Sequence, residues 1–298
     1  MTDEPILTDD TVGTVTFGDI TARRLGFGAM RVSGARNPEG VRDRAEAVTL
    51  VRTVHDRGVN FFDTANIYGY GQSEEIIAEA LRPYPDDLFI TTKAGFKPGK
   101  IEPGKSSLPP LGRPEHIKEE CDKSLARLGL DVIPLYQVHV PDPDVPYAET
   151  VGAFVELQQA GKVRHIGVSN VDLDQLAVAQ SLCTVVSVQN FYNVARRTSE
   201  PVLRACEEQG IVFIPHSPNI LGQGEAATAV AEIAAAHGVS TQQVAVAWLL
   251  AHSSAAAPIP GTQSVAHAGD NVDTAWLRLD DDELARLDAV GAHTVPEG

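Results

Sequence analysis

Apolar runs alternate with amphipathic helical segments about eight times along the chain, which predicts a single (β/α)8 TIM barrel behind an N-terminal β-hairpin. Two further observations support that class. The apolar runs are nearly continuous in Val, Ile, Leu and Phe, as strands covered on both faces require. No linker or shift in composition divides the 298 residues. Residues 1–11 read as a disordered lead and 12–298 as one domain. TVTFGDITARR turns at Gly18-Asp19 and reads as the hairpin, and LGFGAM begins the first barrel strand.

The remaining elements follow in order. Residues 42–57 read as a helix with Ala47, Leu50, Val51 and Val54 on one face and Gly58 at its end. VNFFD is a strand, GQSEEIIAEAL a helix with Ser73 as its N-cap, and LFITTK a strand. Pro114 to Leu128 is a helix with proline at its start and Gly129 at its end. VIPLYQVH, VRHIGVSN, VVSVQN and IVFIPHS are strands, separated by helices over 147–160, 171–180 and 200–209. Helices over 226–237 and 241–252 precede APIPG, the expected last strand, and residues 281–290 form a closing helix.

A net charge of −16 and a pI near 4.9 argue against a nucleic-acid partner, whose phosphates need a basic face, and against anionic membranes. Cys121, Cys183 and Cys206 are too few and too scattered for a disulfide framework and read as small buried hydrophobes. MTDEPILTDD lacks the basic start and apolar stretch of a signal peptide, and no run is long enough to span a membrane. The expectation is a cytoplasmic protein. Nothing in the sequence reads out an oligomeric state.

Several familiar chemistries are missing from the pattern. GFGAM lacks the third glycine of a dinucleotide fingerprint, GQGEAAT lacks the Lys-Ser/Thr of a P-loop, no residues have metal-site spacing, and no G-x-S-x-G elbow occurs. What remains is a set of polar residues that close apolar runs: Asp63 after VNFF, Lys93 after LFITT and His139 after IPLYQV, with Tyr68 five residues beyond Asp63. At the C-terminal ends of barrel strands they would converge on one mouth. Individually, Tyr68 could be a packed rim residue, Lys93 a snorkelling side chain and His139 a satisfied core histidine. Together they form a coherent acid–base group. An ammonium lowers the tyrosine pKa from about 10, a carboxylate holds the ammonium, and an imidazole can orient a substrate oxygen. Such a group delivers a proton but no hydride, so a reduction requires a cofactor. The Gly/Pro/Lys-rich stretch 94–113, with Lys97, Lys100 and Lys105, is either a substrate lid or a solvated loop.

NFFDTANIYGYGQSE, TTKAGF, LYQVH, GKVRHIGVSN, VQNFYN and PIPGTQS, in this order, resemble the aldo-keto reductases. The resemblance runs from about Arg24 to Val290. GRPEHIKEECDKSLARLGLD and HVPDP are similar to bacterial members of the pyridoxal reductase type. It implies an NADPH-dependent reductase of a small aldehyde or ketone, with Tyr68 as general acid, Lys93 and Asp63 tuning it, and His139 orienting the carbonyl. Ser169, Asn170 and Gln189 would bind the nicotinamide carboxamide, and Gly28, Ala29 and Met30 would lie along the cofactor. His216, Ser217, Asn219 and Gly222 would bracket nicotinamide and pyrophosphate. Gln263, Ser264, Asp270 and Asn271 would surround the adenosine end. Two positions depart from the family pattern. His216 stands where an aromatic is usual, and neutral Gln263 where a basic residue usually faces the 2′-phosphate, with His267 nearby; NADPH is expected and NADH is possible. The residues also permit a Lys93 Schiff-base lyase, or a cofactor-binding sensor with little turnover.

Overall fold

The computed structural model describes residues 4–33, 43–99, 101, 107–218 and 221–291. Strands β1 (Thr14–Phe17) and β2 (Ile20–Arg23) form the expected antiparallel hairpin. Seven parallel strands follow in the spatial order β3-β4-β5-β6-β7-β8-β9. They are β3 (Phe27–Gly28), β4 (Phe61–Asp63), β5 (Phe89–Ala94), β6 (Ile133–Val138), β7 (Val163–Ser169), β8 (Val185–Phe191) and β9 (Val212–His216). Helices α2 (Arg44–Asp56), α3 (Gln72–Leu81), α4 (Pro114–Leu128), α5 (Tyr147–Gln159), α6 (Leu173–Gln180) and α7 (Glu200–Gln209) join successive strands. After β9 come α8 (Glu225–His237), α9 (Thr241–His252), α10 (Val265–Asp273) and α11 (Asp281–Gly291).

The sheet curls so that alternate residues face inward. Its lower interior is apolar: Phe61, Phe89, Leu135, Val186, Val212 and Ile214 cluster with Val15, Phe17 and Ala22 of the hairpin. Phe17 sits 4.6 Å from Phe89 and 5.3 Å from Phe61, ring centre to ring centre. Asp19 at the hairpin turn is bonded to Arg164 and, at 2.6 Å, to His165 Nε2. The hairpin thus plugs the N-terminal end of the sheet and leaves the C-terminal end for the polar residues.

The expected eighth strand at APIPG is not part of this ladder. Pro258 and Pro260 have no N–H to donate. The segment nonetheless bonds both edges of the sheet. Ala257 N donates to Phe213 O at 2.8 Å, while Pro258 O accepts from Gly26 N and Pro260 O from Gly28 N. At Gly28 a side chain would sit 2.7 Å from Ile259 O, so glycine is needed for that approach.

Two local expectations are corrected. The lead over 1–11 is docked from Glu4 onward: Leu7 is buried, its N–H donates to Arg57 O at 2.9 Å, and Arg57 pairs with Glu4. A short α1 (Asp9–Val12) follows. The apolar Leu7 drives this, joining the cluster that includes Leu50, Val51 and Val54 of α2. Ser73 does not cap α3, where Gly71 takes the N-cap position. Its hydroxyl accepts from Thr64 Oγ1 and donates to Ala29 O, both at 2.8 Å.

Candidate active site

On β4, Phe61 and Asp63 face inward while Phe62 packs outside; on β5, Phe89, Thr91 and Lys93 face inward. Lys93 is wholly buried, and its Nζ donates to Asp63 Oδ2 at 2.6 Å and to Thr64 O at 2.8 Å. Asp63 Oδ1 accepts from Gln189 Nε2 of β8 at 2.8 Å. Beneath them Gln137 donates to Thr91 Oγ1 at 2.9 Å and accepts from Ser187 Oγ at 3.1 Å. Burial alone would lower the Lys93 pKa, but Asp63 and Tyr68 outweigh it and raise it above the ordinary value. Burial pushes the Asp63 carboxyl up, against the opposing pull of Lys93 and Gln189.

Tyr68 is carried not by a strand but by the turn between β4 and α3. Its N–H donates to Ala65 O at 3.1 Å and its carbonyl accepts from Ser73 N at 3.2 Å. Gly69, Tyr70 and Gly71 all have left-handed backbone, with φ of 59°, 57° and 93°. The Tyr68 ring lies 5.2 Å from Lys93 Nζ and meets the His139 ring edge-on, centres 5.8 Å apart. Phe96 packs edge-on against the same imidazole at 4.6 Å. His139 is buried, and its Nδ1 has no hydrogen-bond partner among the described residues. Burial, then the charges of Lys93 and His216, hold its pKa well below the ordinary histidine value. The structure therefore brings Asp63, Tyr68, Lys93 and His139 together at one mouth.

The strand ends beside them carry the expected cofactor residues. Asn170 follows β7 with φ of 57° and donates to His139 O at 2.9 Å and to Ser169 Oγ at 3.1 Å. Asn170 Oδ1 and His216 Nε2 are 3.1 Å apart, and His216 Nδ1 lies 3.3 Å from Ser217 Oγ. Phe191 meets the His216 ring edge-on at 5.4 Å. Ser169, Asn170, Gln189, His216 and Ser217 thus form one rim with the tetrad. Gly28, at the end of β3, pairs in register with Asp63, and Ala29 and Met30 follow it.

Other expected residues lie farther out. Gly222 is exposed ahead of α8; Asn219 falls outside the described residues. Gln263 is exposed, Ser264 caps α10 by accepting from His267 N at 3.4 Å, and Asp270 and Asn271 lie along that helix. No hydrogen bond joins this patch to the tetrad among the described residues. In the 94–113 stretch, Lys97 N donates to Pro109 O at 2.9 Å, Leu111 N to Gly95 O at 2.7 Å, and Tyr70 OH to Gly99 O. Lys97 is exposed; Lys100 and Lys105 fall outside the described residues.

Sequence reasoning missed the carboxylates behind the site. Glu74 is wholly buried and accepts from Thr92 Oγ1 and Arg127 Nε, each at 2.6 Å. Glu120 accepts from Asn66 Nδ2 at 2.7 Å and Lys123 Nζ at 2.8 Å. In sequence Glu74 looks like an ordinary first-turn acid favoured by the helix dipole, so no local signal sets it apart.

The model of the Aldo/keto reductase family matches residues 24–225 and 220–292. Pyridoxine 4-dehydrogenase of Escherichia coli is 36% identical over 283 residues, covering 93% of this chain and 98% of that protein. The crystal structure of a thermostable aldo-keto reductase bound to the inhibitor epalrestat superposes with a TM-score of 0.80 at 30% identity, covering 93% of this chain and 99% of that one. An aldo/keto reductase from Klebsiella pneumoniae, solved with NADP and acetate, gives a TM-score of 0.76 at 26% identity over 93% of this chain and 94% of that one. With the tetrad and its rim in place, the chain belongs to the aldo/keto reductase family and is an NAD(P)H-dependent oxidoreductase.

Proposed function

We propose that this protein is an NADPH-dependent reductase that converts a small aldehyde or ketone to the alcohol, with Tyr68 as general acid. The observation that carries this reading is the wholly buried Lys93, held by Asp63 at 2.6 Å beside the Tyr68 ring. A charged ammonium there stabilises the phenolate left when Tyr68 gives its proton to the carbonyl oxygen. His139, kept neutral by its surroundings, presents a ring N–H to the same oxygen and aims it at Tyr68. Phe96 against His139 helps exclude water from that contact.

The residues present fit a nicotinamide cofactor. Ser169, Asn170 and Gln189 combine hydroxyl and amide groups, which offer the donors and acceptors a carboxamide needs. Gly222 and Gly224, at φ of 64° and 112°, bare backbone N–H groups ahead of the 13-residue α8, a favourable seat for a pyrophosphate. Gln263, Ser264, Asp270 and Asn271 would receive the adenosine end, and Gly28, Ala29 and Met30 the neighbouring edge. When bound, the cofactor supplies the hydride for the carbonyl carbon. Neutral Gln263 narrows the preference for NADPH over NADH, since a charge-assisted contact is worth about 1.5–3 kcal/mol. In this reading residues 12–298 act as one cytoplasmic catalytic unit. The 255–260 segment serves as the eighth stave of the barrel.

The test is NADPH oxidation with pyridoxal and a panel of aldehydes. Tyr68→Phe is expected to lose about a hundredfold or more in kcat; a variant as fast as the native protein would overturn the mechanism. The lyase reading is disfavoured by the burial and raised pKa of Lys93, since an amine must be uncharged to attack a carbonyl. Borohydride trapping of a substrate on Lys93 would restore it. NADPH binding without turnover on any carbonyl would favour a sensor.

A further inference from the structure

A carboxylate that is wholly buried needs partners, and those of Glu74 join three elements. Glu74 lies in the first turn of α3, Thr92 is on β5 immediately before Lys93, and Arg127 is in the last turn of α4. Arg127 Nη2 also donates to Ser124 Oγ at 3.2 Å, which fixes the plane of the guanidinium. The shaft of Arg127 runs directly under the Tyr68 turn: a side chain at Gly71 would lie 2.4 Å from Arg127 Cδ and 2.5 Å from Nε.

These contacts bear on the distance between Tyr68 and Lys93. Tyr68 is bonded through its carbonyl to Ser73 N, one residue before Glu74. The intervening Gly69, Tyr70 and Gly71 are in left-handed backbone, including one non-glycine residue in a region such residues seldom adopt. A turn of that shape must be held by its surroundings. The strand that carries Lys93 also holds Glu74, so one carboxylate links the two sides of the Tyr68–Lys93 contact. A buried ion pair adds little net stability over an apolar replacement, whereas its fixed geometry constrains direction.

We infer that Glu74 and Arg127 are positioning residues that set the spacing of Tyr68 from Lys93. The inference rests on the reading of Tyr68 as the general acid. The experiment uses the full chain carrying Glu74→Gln with Arg127→Met, which removes both charges together and leaves no unpaired buried ion. Thermal unfolding establishes that the double variant folds. Its kcat for NADPH-dependent carbonyl reduction is expected to fall about tenfold or more, with KM little changed, because misplacement of a reacting group slows the chemical step. Ultraviolet titration of the Tyr68 phenolate, taken as the difference from Tyr68→Phe, is expected to shift upward as Lys93 loses its hold. A folded double variant with native kcat and native phenolate titration overturns the inference. Should the double variant fail to fold, Glu74→Gln alone keeps the shape of the side chain. It is then expected to lose about threefold in kcat with the same direction of titration shift, and native values overturn the inference. The titration requires no turnover. It therefore reads the spacing even if Tyr68→Phe proves fully active and the general-acid reading fails.

Discussion

Lys93 Nζ lies 2.6 Å from Asp63 Oδ2, with Lys93 fully buried and Asp63 2% exposed. Removing one partner leaves the other charge buried without compensation. Lys93→Met is expected to destabilise the protein by about 3–5 kcal/mol and to abolish carbonyl reduction. Guanidinium unfolding with a parallel activity assay checks both. A variant of native stability would mean that Asp63 finds another partner.

The depressed pKa of His139 has a consequence for stability. Because burial, Lys93 and His216 hold it below the ordinary 6.5, the unfolded chain binds a proton there before the folded protein does. Stability from neutral His139 is complete above the unfolded value and is lost as pH falls toward the folded one. Unfolding free energy should therefore rise with pH in that window, by up to about 1.4 kcal/mol per pH unit from this residue. His139→Gln should flatten the slope by that amount. An unchanged slope in denaturant titrations across mildly acidic pH would contradict the assignment.

Gly71 combines φ of 93° with a missing side chain against Arg127. Gly71→Ala is strained on both counts and should cost about 1–3 kcal/mol, with a disproportionate loss of kcat because the Tyr68 turn must shift. Melting curves and steady-state kinetics separate the two effects.

Gln263 is exposed ahead of α10. Gln263→Arg should tighten NADPH binding about tenfold or more through a charge-assisted contact, while NADH binding stays as it is. Fluorescence titration with both cofactors measures this. Equal effects on the two would place the 2′-phosphate elsewhere.

The strands and helices were readable where burial follows the local pattern: α4 runs from Pro114 to Leu128 with Gly129 left-handed at its end, as the proline and glycine required. The reading failed where side-chain chemistry or distant packing decided. APIPG has a strand's apolar content, yet Pro258 and Pro260 lack N–H groups and bond Gly26 and Gly28 through their carbonyls alone. The short Leu7 segment looks like a tail in isolation, and its place is set by distant groups: an apolar cluster that includes α2, and Arg57, which bonds Leu7, Pro5 and Glu4. Ser73 has the sequence of a cap and spends its hydroxyl on Ala29 O.

The sequence by itself determined the parallel β/α alternation and pointed to Asp63, Lys93 and His139 as one group, because polar residues that close apolar strands are seldom buried without partners. That the Tyr68 ring lies beside Lys93 and His139 was decided by the turn that carries it. Tertiary structure alone decided how those residues are held. Gln189 on Asp63, Asn170 on His139, and Glu74 with Arg127 under the Tyr68 turn are contacts between elements far apart in the chain. Local propensity carries no trace of such partners. They exist because a buried polar group must be satisfied by whatever the fold brings within hydrogen-bond reach.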